Sequence, residues 1–174
     1  MKRELMIDLE TLGTGNNAAV AAIGAVFFDK DGLHRSFYRA IDLNDAGKYG
    51  TIDGGTVKWW LQQEHDARAE LYLATAPLVV VLQDFADFIN NEAAGVWGFG
   101  ATFDNVILRS AYTATKVACP WHFRIDRCFR TLAAMNPNVL WEPRVGVHHN
   151  ALDDAVTQAK TAIKMLYPTI NIQL

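Results

Sequence analysis

The sequence predicts an α/β fold in which a mixed sheet is covered by helices. Two strand-like segments come first and form a hairpin, and helical segments then alternate with short apolar strands. That order marks helices packed on a partly parallel sheet. The chain has 174 residues, 51% hydrophobic and 20% charged, enough to bury one substantial core without staples. No repeat, linker or shift of composition divides it, so residues 1–174 read as a single domain.

Leu5 to Leu9 reads as a short apolar strand carrying an acid at Asp8. After a loop with Gly13 and Gly15, Ala18 to Phe28 is a buried strand rich in Ala, Val, Ile and Phe. Asp29-Lys30-Asp31-Gly32 is a turn signal, and Leu33 to Ile41 pairs back across it. Thr56 is the expected N-cap of a helix carrying Val57, Trp60 and Leu61. A second helical stretch runs from Asp66 to Ala74 before Pro77. Leu78 to Ile89 follows with one apolar face. Val96 to Phe99 is a short strand ending at Gly100, and Phe103 to Tyr112 a helix capped by Thr102. Ile125 to Thr131 leads into a helix over Leu132 to Met135, and Asn136 to Val147 is a loop. The last helix spans Asn150 to Tyr167, stopped by Pro168.

Charge and composition exclude several function classes. With 16 Lys and Arg against 19 Asp and Glu, the net charge is −3, whereas proteins that coat nucleic acid by neutralising phosphates are basic. An enzyme that holds cations on its own carboxylates stays open, because those ions supply the positive charge. Apolar runs fall short of the roughly 18 residues of a membrane span. The basic N-terminus meets an acid at Asp8 too soon for a signal peptide. Cys119 and Cys128 lack metal-ligand spacing, so a reduced, cytoplasmic setting is expected, with no membrane partner.

Asp8 and Glu10 are two apart on a strand and share one face. Like charges side by side are unfavourable unless something positive lies between them, and a divalent ion that prefers hard oxygen donors fits that place. A frayed strand end is the other reading, and an isolated Asp-x-Glu is common enough to favour it. Asp104 opens a helix after Gly98-Phe99-Gly100, where an acid complements the helix dipole whatever else it does.

The final helix is more informative. Leu152, Val156, Ala159, Ile163 and Leu166 form an apolar stripe expected to face the core. Asp153 then shares a solvated side with Thr157, Lys160 and Lys164, and sits where an acid caps backbone N–H groups. Asp154 points toward Gln158, Thr161 and Met165, with small Ala151 and Ala162 nearby. Asp154 is therefore the better ligand and Asp153 the better cap. His149, at the helix start, has a side-chain type suited to general-base work on water.

Asp8-Leu9-Glu10-Thr11, Phe103-Asp104-Asn105 and His149-x-Ala151-x-x-Asp154 occur in one order along one chain. The set resembles the three motifs of the DEDDh 3′→5′ exonucleases, the proofreading-exonuclease-like group of the ribonuclease H-like superfamily. Ile7 to Gly13, Thr56-x-x-Trp59-Trp60 and His149 to Ala155 are similar to the branch of phage exonuclease A and a mycobacterial exoribonuclease-like domain. The resemblance implies a five-stranded mixed sheet flanked by helices. It implies Asp8, Glu10, Asp104 and Asp154 as ligands of two Mg²⁺ or Mn²⁺ ions, with Asp8 bridging, and His149 as the base. The expected reaction releases nucleoside 5′-monophosphates from single-stranded 3′ ends, DNA ahead of RNA, in an enzyme that can be a homodimer.

Thr11, Leu12, Trp59 and Asn105 are the candidate substrate contacts, although aromatics at helical spacing are mostly core. Trp60 is expected inside and Trp59 partly outside. Arg127 and Arg130 either contact phosphates or bridge to acids, and His148 has no assigned part. The rival readings are an exoribonuclease, a catalytically silent nucleic-acid or partner-binding module of the same fold, a phosphohydrolase of small nucleotides, and a structural divalent-ion site.

Overall fold

A computed structural model describes residues 2–144 and 146–168. Its first three strands, β1 (Arg3–Thr11), β2 (Val20–Asp29) and β3 (Gly32–Ala40), form an antiparallel meander. Two later strands, β4 (Ala93–Gly98) and β5 (Asp126–Cys128), add in parallel on the other side of β1, giving the order β3-β2-β1-β4-β5. The helices are α1 (Leu43–Ala46), α2 (Gly54–Trp60), α3 (His65–Leu73), α4 (Leu78–Ile89), α5 (Asp104–Thr115), α6 (Phe129–Met135) and α7 (Ala151–Leu166).

Alternation along β1 sends Leu5, Ile7 and Leu9 into one core and Met6 into another. The first core includes Leu82 and Phe85 of α4 and Ile107 and Leu108 of α5. The second takes Phe129 of α6 and Ala155, Ala159 and Ala162 of α7. A sheet covered on both faces needs near-continuous apolar strands, which is why β2 is buried from Val20 through Phe28. Asp8 and Glu10 share the side of Met6, which is the side that α7 covers.

Several local expectations change. The cap of α2 is Asp53, whose carboxylate accepts from the Thr56 N–H at 2.9 Å, so Thr56 lies inside the helix rather than before it. No side chain caps α5: Phe103 occupies that place, and Thr102 lies one residue too early. The segment read as a lead from Ile125 to Thr131 holds the end of a 3-10 turn over Phe123–Ile125 and the short β5, α6 begins at Phe129 rather than Leu132, and α1 had no clear periodicity to announce it.

The largest correction concerns α7. Its buried side carries Ala151, Ala155, Gln158, Ala159, Ala162 and Met165, while Leu152, Val156, Ile163 and Leu166 are only half-buried. The helix crosses β2 so closely that only small side chains fit between them. At Gly24 a Cβ would lie 2.1 Å from the Ala151 carbonyl carbon. Larger aliphatics therefore pack at the flanks. Thr157, placed on the solvated side, is buried as well. Among the described residues no single helix is long and apolar enough to cross a membrane.

Candidate active site

Four acids from three distant segments meet where β1 passes under the start of α7. Asp8 lies opposite Gly24 in the β1–β2 register and Glu10 opposite Ala22. These small partners let the start of α7 come down on the strands beside both acids. Asp154 lies in the first turn of α7. Oxygens of Glu10 and Asp154 and a ring nitrogen of His149 all fall within 4.8 Å of one another. Asp104 opens α5 just beyond the end of β4 and is almost wholly buried. A Cβ at Gly98 would sit 2.8 Å from its Oδ2, so that glycine makes the room the carboxylate occupies.

The electrostatics show how unfavourable this convergence is without a counter-charge. Burial pushes the Asp8 carboxyl well above its usual range; Asp104 and Asp154 add to the rise, and the Gln158 hydrogen bond opposes it. Glu10 is pushed up to about 10, by burial first and then by Asp8, Asp154 and Asp104. Asp104 is raised to about 7 by burial, against backbone N–H donors and the charge of Arg130. Asp8 and Glu10 are both penalised by the neighbouring carboxylates, and hard divalent cations relieve that repulsion while matching an oxygen donor set. The residues thus fit a metal centre.

His149 has a left-handed backbone, φ 63°, uncommon for a side-chain-bearing residue and a local strain of the kind found at functional sites. The turn sets its ring edge-on to Trp59 at 4.7 Å and against the exposed His148 ring at 3.6 Å. The His149 backbone N–H donates to Asp154 Oδ2 at 3.3 Å. Burial lowers the basicity of the imidazole, with Asp154 opposing and Arg144 assisting. A neutral ring near pH 7 can accept a proton.

Asn150 caps α7, its Oδ1 accepting from Leu152 and Asp153 N–H groups. Asp153 accepts from the Val147 N–H at 2.7 Å and so pins the loop that carries His149. It is a brace for that loop and does not join the acid cluster. Gln158, not singled out from the sequence as functional, donates to Asp8 at 2.7 Å, and its other amide atom, Oε1, is buried without a partner. Arg144, also missed, donates to Asp154 at 3.1 Å. Gln158 shares the helix side of Asp154, a signal already in the periodicity, whereas Arg144 lies in a loop that offers none.

The expected substrate contacts separate. Trp59 is 40% exposed and lines a cleft with Glu10, Thr11 and Phe103. Trp60 is core, its indole N–H donating to the Thr11 carbonyl at 2.9 Å. The Thr11 hydroxyl is engaged by the Gly13 carbonyl at 2.7 Å. Leu12 packs inward, 6% exposed. Asn105 is corrected: it is fully buried, and its amide donates to the Val96 carbonyl and to Asp126, so it holds the β4–α5 corner and cannot reach a substrate. Arg127 donates to backbone carbonyls of Arg124 and Asp126. Arg130 donates to the Phe99 carbonyl and lies over the Phe99 ring.

Among solved structures, the nuclease domain of 3′hExo, described as a DEDDh family member bound to rAMP, superposes with a TM-score of 0.62 at 12% identity, over 95% of this chain and 92% of that one. Exonuclease X in complex with 5′ overhanging duplex DNA gives 0.61 at 16%, over 93% and 90%. Cell-death related nuclease 4 gives 0.64 at 16%, over 95% of this chain but 64% of its own. These likenesses establish the ribonuclease H-like fold. In sequence, an exodeoxyribonuclease of Enterobacteria phage T4 is 26% identical over 121 residues, 60% of this chain. The chain spans about half, 53%, of that relative's length. The 3′-5′ exoribonuclease Rv2179c-like domain matches residues 3–166, a span that holds every element described above and the four acids with His149. The chain therefore belongs to that exonuclease family, a DEDDh branch of the ribonuclease H-like fold.

Proposed function

We propose that the protein is a 3′→5′ exonuclease that removes nucleoside 5′-monophosphates from single-stranded ends. The observation that carries this is the convergence of Asp8, Glu10, Asp104 and Asp154 beside His149. Two Mg²⁺ or Mn²⁺ ions on these acids would supply an activated water and a counter-charge for the leaving oxygen. His149 is placed as the base for the attacking water, and Asp154, which accepts from the His149 backbone N–H, fixes where the ring stands. Gln158 orients Asp8 through its 2.7 Å hydrogen bond. Trp59 offers the terminal base an exposed aromatic surface, a sequence-tolerant contact. DNA is the first reading of the sugar, supported by the phage relative named an exodeoxyribonuclease. RNA is the second, favoured by the description of the matching family.

End-labelled DNA and RNA oligonucleotides, single- and double-stranded, digested with Mn²⁺ or with EDTA, test the reading. Stepwise loss from the 3′ end, dependent on metal, is the expected result. Absence of cleavage with every substrate in Mn²⁺ would favour the silent binding module.

A further inference from the structure

A phosphodiester about to be cut has a nucleoside on each side, and the acid cluster has a compartment on each side. Glu10 lines the cleft that runs along Trp59 and Phe103. Asp8 and Asp154 line a second cavity of about 340 Å³, bounded by Phe99, Trp141, Arg144 and Gln158. His149 lines this cavity too, so it opens directly onto the acids, with Trp141 and Arg144 on its wall.

Acids border both spaces, Asp8, Glu142 and Asp154 in the second, and the two differ in the cation they offer. Among the described residues lining the first there is no Lys or Arg, while Glu10 and Asp53 border it. Such a cleft suits a terminal nucleoside whose only phosphate is the one being cut. Arg144 borders the second space with half its side chain exposed. The nucleotide one step back carries a further 5′ phosphate, and a guanidinium is well matched to phosphate oxygens. Arg144 is paired with Asp154 at 3.1 Å, and a phosphate entering the cavity would compete for it.

Trp141 is 49% exposed, yet its ring is held edge-on by Phe99 at 5.8 Å and by Phe129 at 5.2 Å. The next residue ties the segment to α7: the Glu142 N–H donates to the Thr161 hydroxyl at 3.0 Å, and Lys164 pairs with the Glu142 carboxylate. An exposed indole already fixed by packing loses little freedom when a base stacks on it.

We infer that this cavity is a second nucleotide subsite, in which Trp141 stacks the penultimate base and Arg144 holds that nucleotide's 5′ phosphate. The inference rests on the exonuclease reading of the acid cluster. Equilibrium binding tests it, with Ca²⁺ replacing the hydrolytic ions and three probes in deoxy and ribo form: adenosine 5′-monophosphate, the dinucleotide ApA, and pApA bearing a 5′ phosphate. Wild-type protein should prefer pApA to ApA. Trp141→Ala should weaken both dinucleotides by about 5- to 150-fold, the range for loss of one stacked base, and leave the mononucleotide within about twofold. Trp141→Phe should stay close to wild type, and Arg144→Ala should erase the preference for the 5′ phosphate. Equal weakening of mononucleotide and dinucleotides by Trp141→Ala, unchanged dinucleotide binding, or a preference that survives Arg144→Ala would overturn the subsite. If Trp141→Ala does not fold, the 5′-phosphate comparison with Arg144→Ala decides. A wild-type protein that binds none of the probes would overturn the exonuclease reading together with the subsite.

Discussion

Replacing Gly24 by alanine perturbs the site without touching any acid. The added Cβ would lie 2.1 Å from the Ala151 carbonyl carbon, 2.2 Å from the Leu152 nitrogen and 2.3 Å from the Ala151 oxygen. All three are backbone atoms, so no side-chain rotation relieves the overlap. Ordinary van der Waals contacts of a Cβ begin at 3.4 Å, so to reach them the start of α7 must retreat from β2 by more than 1 Å. Overpacking of this kind costs about 1–3 kcal/mol, which in a chain this long lowers the melting temperature by about 2–12 °C. Asp154 and the adjoining His149 would move with the helix start. A misplacement of roughly 1 Å at reacting groups costs on the order of 100-fold in rate. Thermal unfolding by circular dichroism, paired with the exonuclease rate in Mn²⁺, reads both effects. Gly54→Ala is the control, since a Cβ there meets nothing within 4 Å. A Gly24→Ala protein with wild-type melting temperature and rate would refute the placement of α7.

Asp8→Ala or Asp154→Asn should abolish hydrolysis while the folded circular dichroism spectrum persists; activity near wild type in either would reject the acid cluster as the reaction centre. Asp153→Asn retains an acceptor for the Val147 N–H and should keep most activity, whereas Asp153→Ala frees the His149 loop and should lose about 10- to 100-fold, the range for losing a contact that supports a metal site. Metal-free protein should become more stable as pH falls from about 9 to about 6. The folded value of Glu10, about 10, lies above its ordinary 4.5, so across that window the folded state binds more protons than the unfolded chain. Unfolding midpoints that rise with pH over the same window would contradict this sign. Saturating Mn²⁺ should raise the melting temperature most at the alkaline end, where the carboxylates are most fully charged and repel one another most. Differential scanning fluorimetry with and without EDTA measures it.

Local signals carried much of the architecture. The hairpin of β2 and β3 follows from its Asp-Lys-Asp-Gly turn, and α4 matches its apolar periodicity from Leu78 to Ile89. The separation of Asp153 from Asp154 was also legible, because 100° per residue puts neighbours on different sides of a helix. The buried face of α7 was misjudged, since periodicity locates apolar side chains but carries no information on how near the facing strand lies. Asn105 looked available because its motif adjoins Asp104, yet the fold closes β5 and Trp121 around Asp126, its partner. Arg144 and Trp141 lie in a loop without periodicity, so nothing in their spacing placed them at the acids.

The amino-acid order by itself determined which residue types could do chemistry: acids interrupting an apolar strand, an acid after a glycine-rich turn, and a histidine ahead of a capped helix. Proximity was decided only in three dimensions. Gln158 and Asp8 are 150 positions apart and share a hydrogen bond because two alanine-rich surfaces and one glycine let a helix lie directly on a strand. Contacts across such distances depend on the volume left between elements, a quantity set by packing that no local pattern encodes.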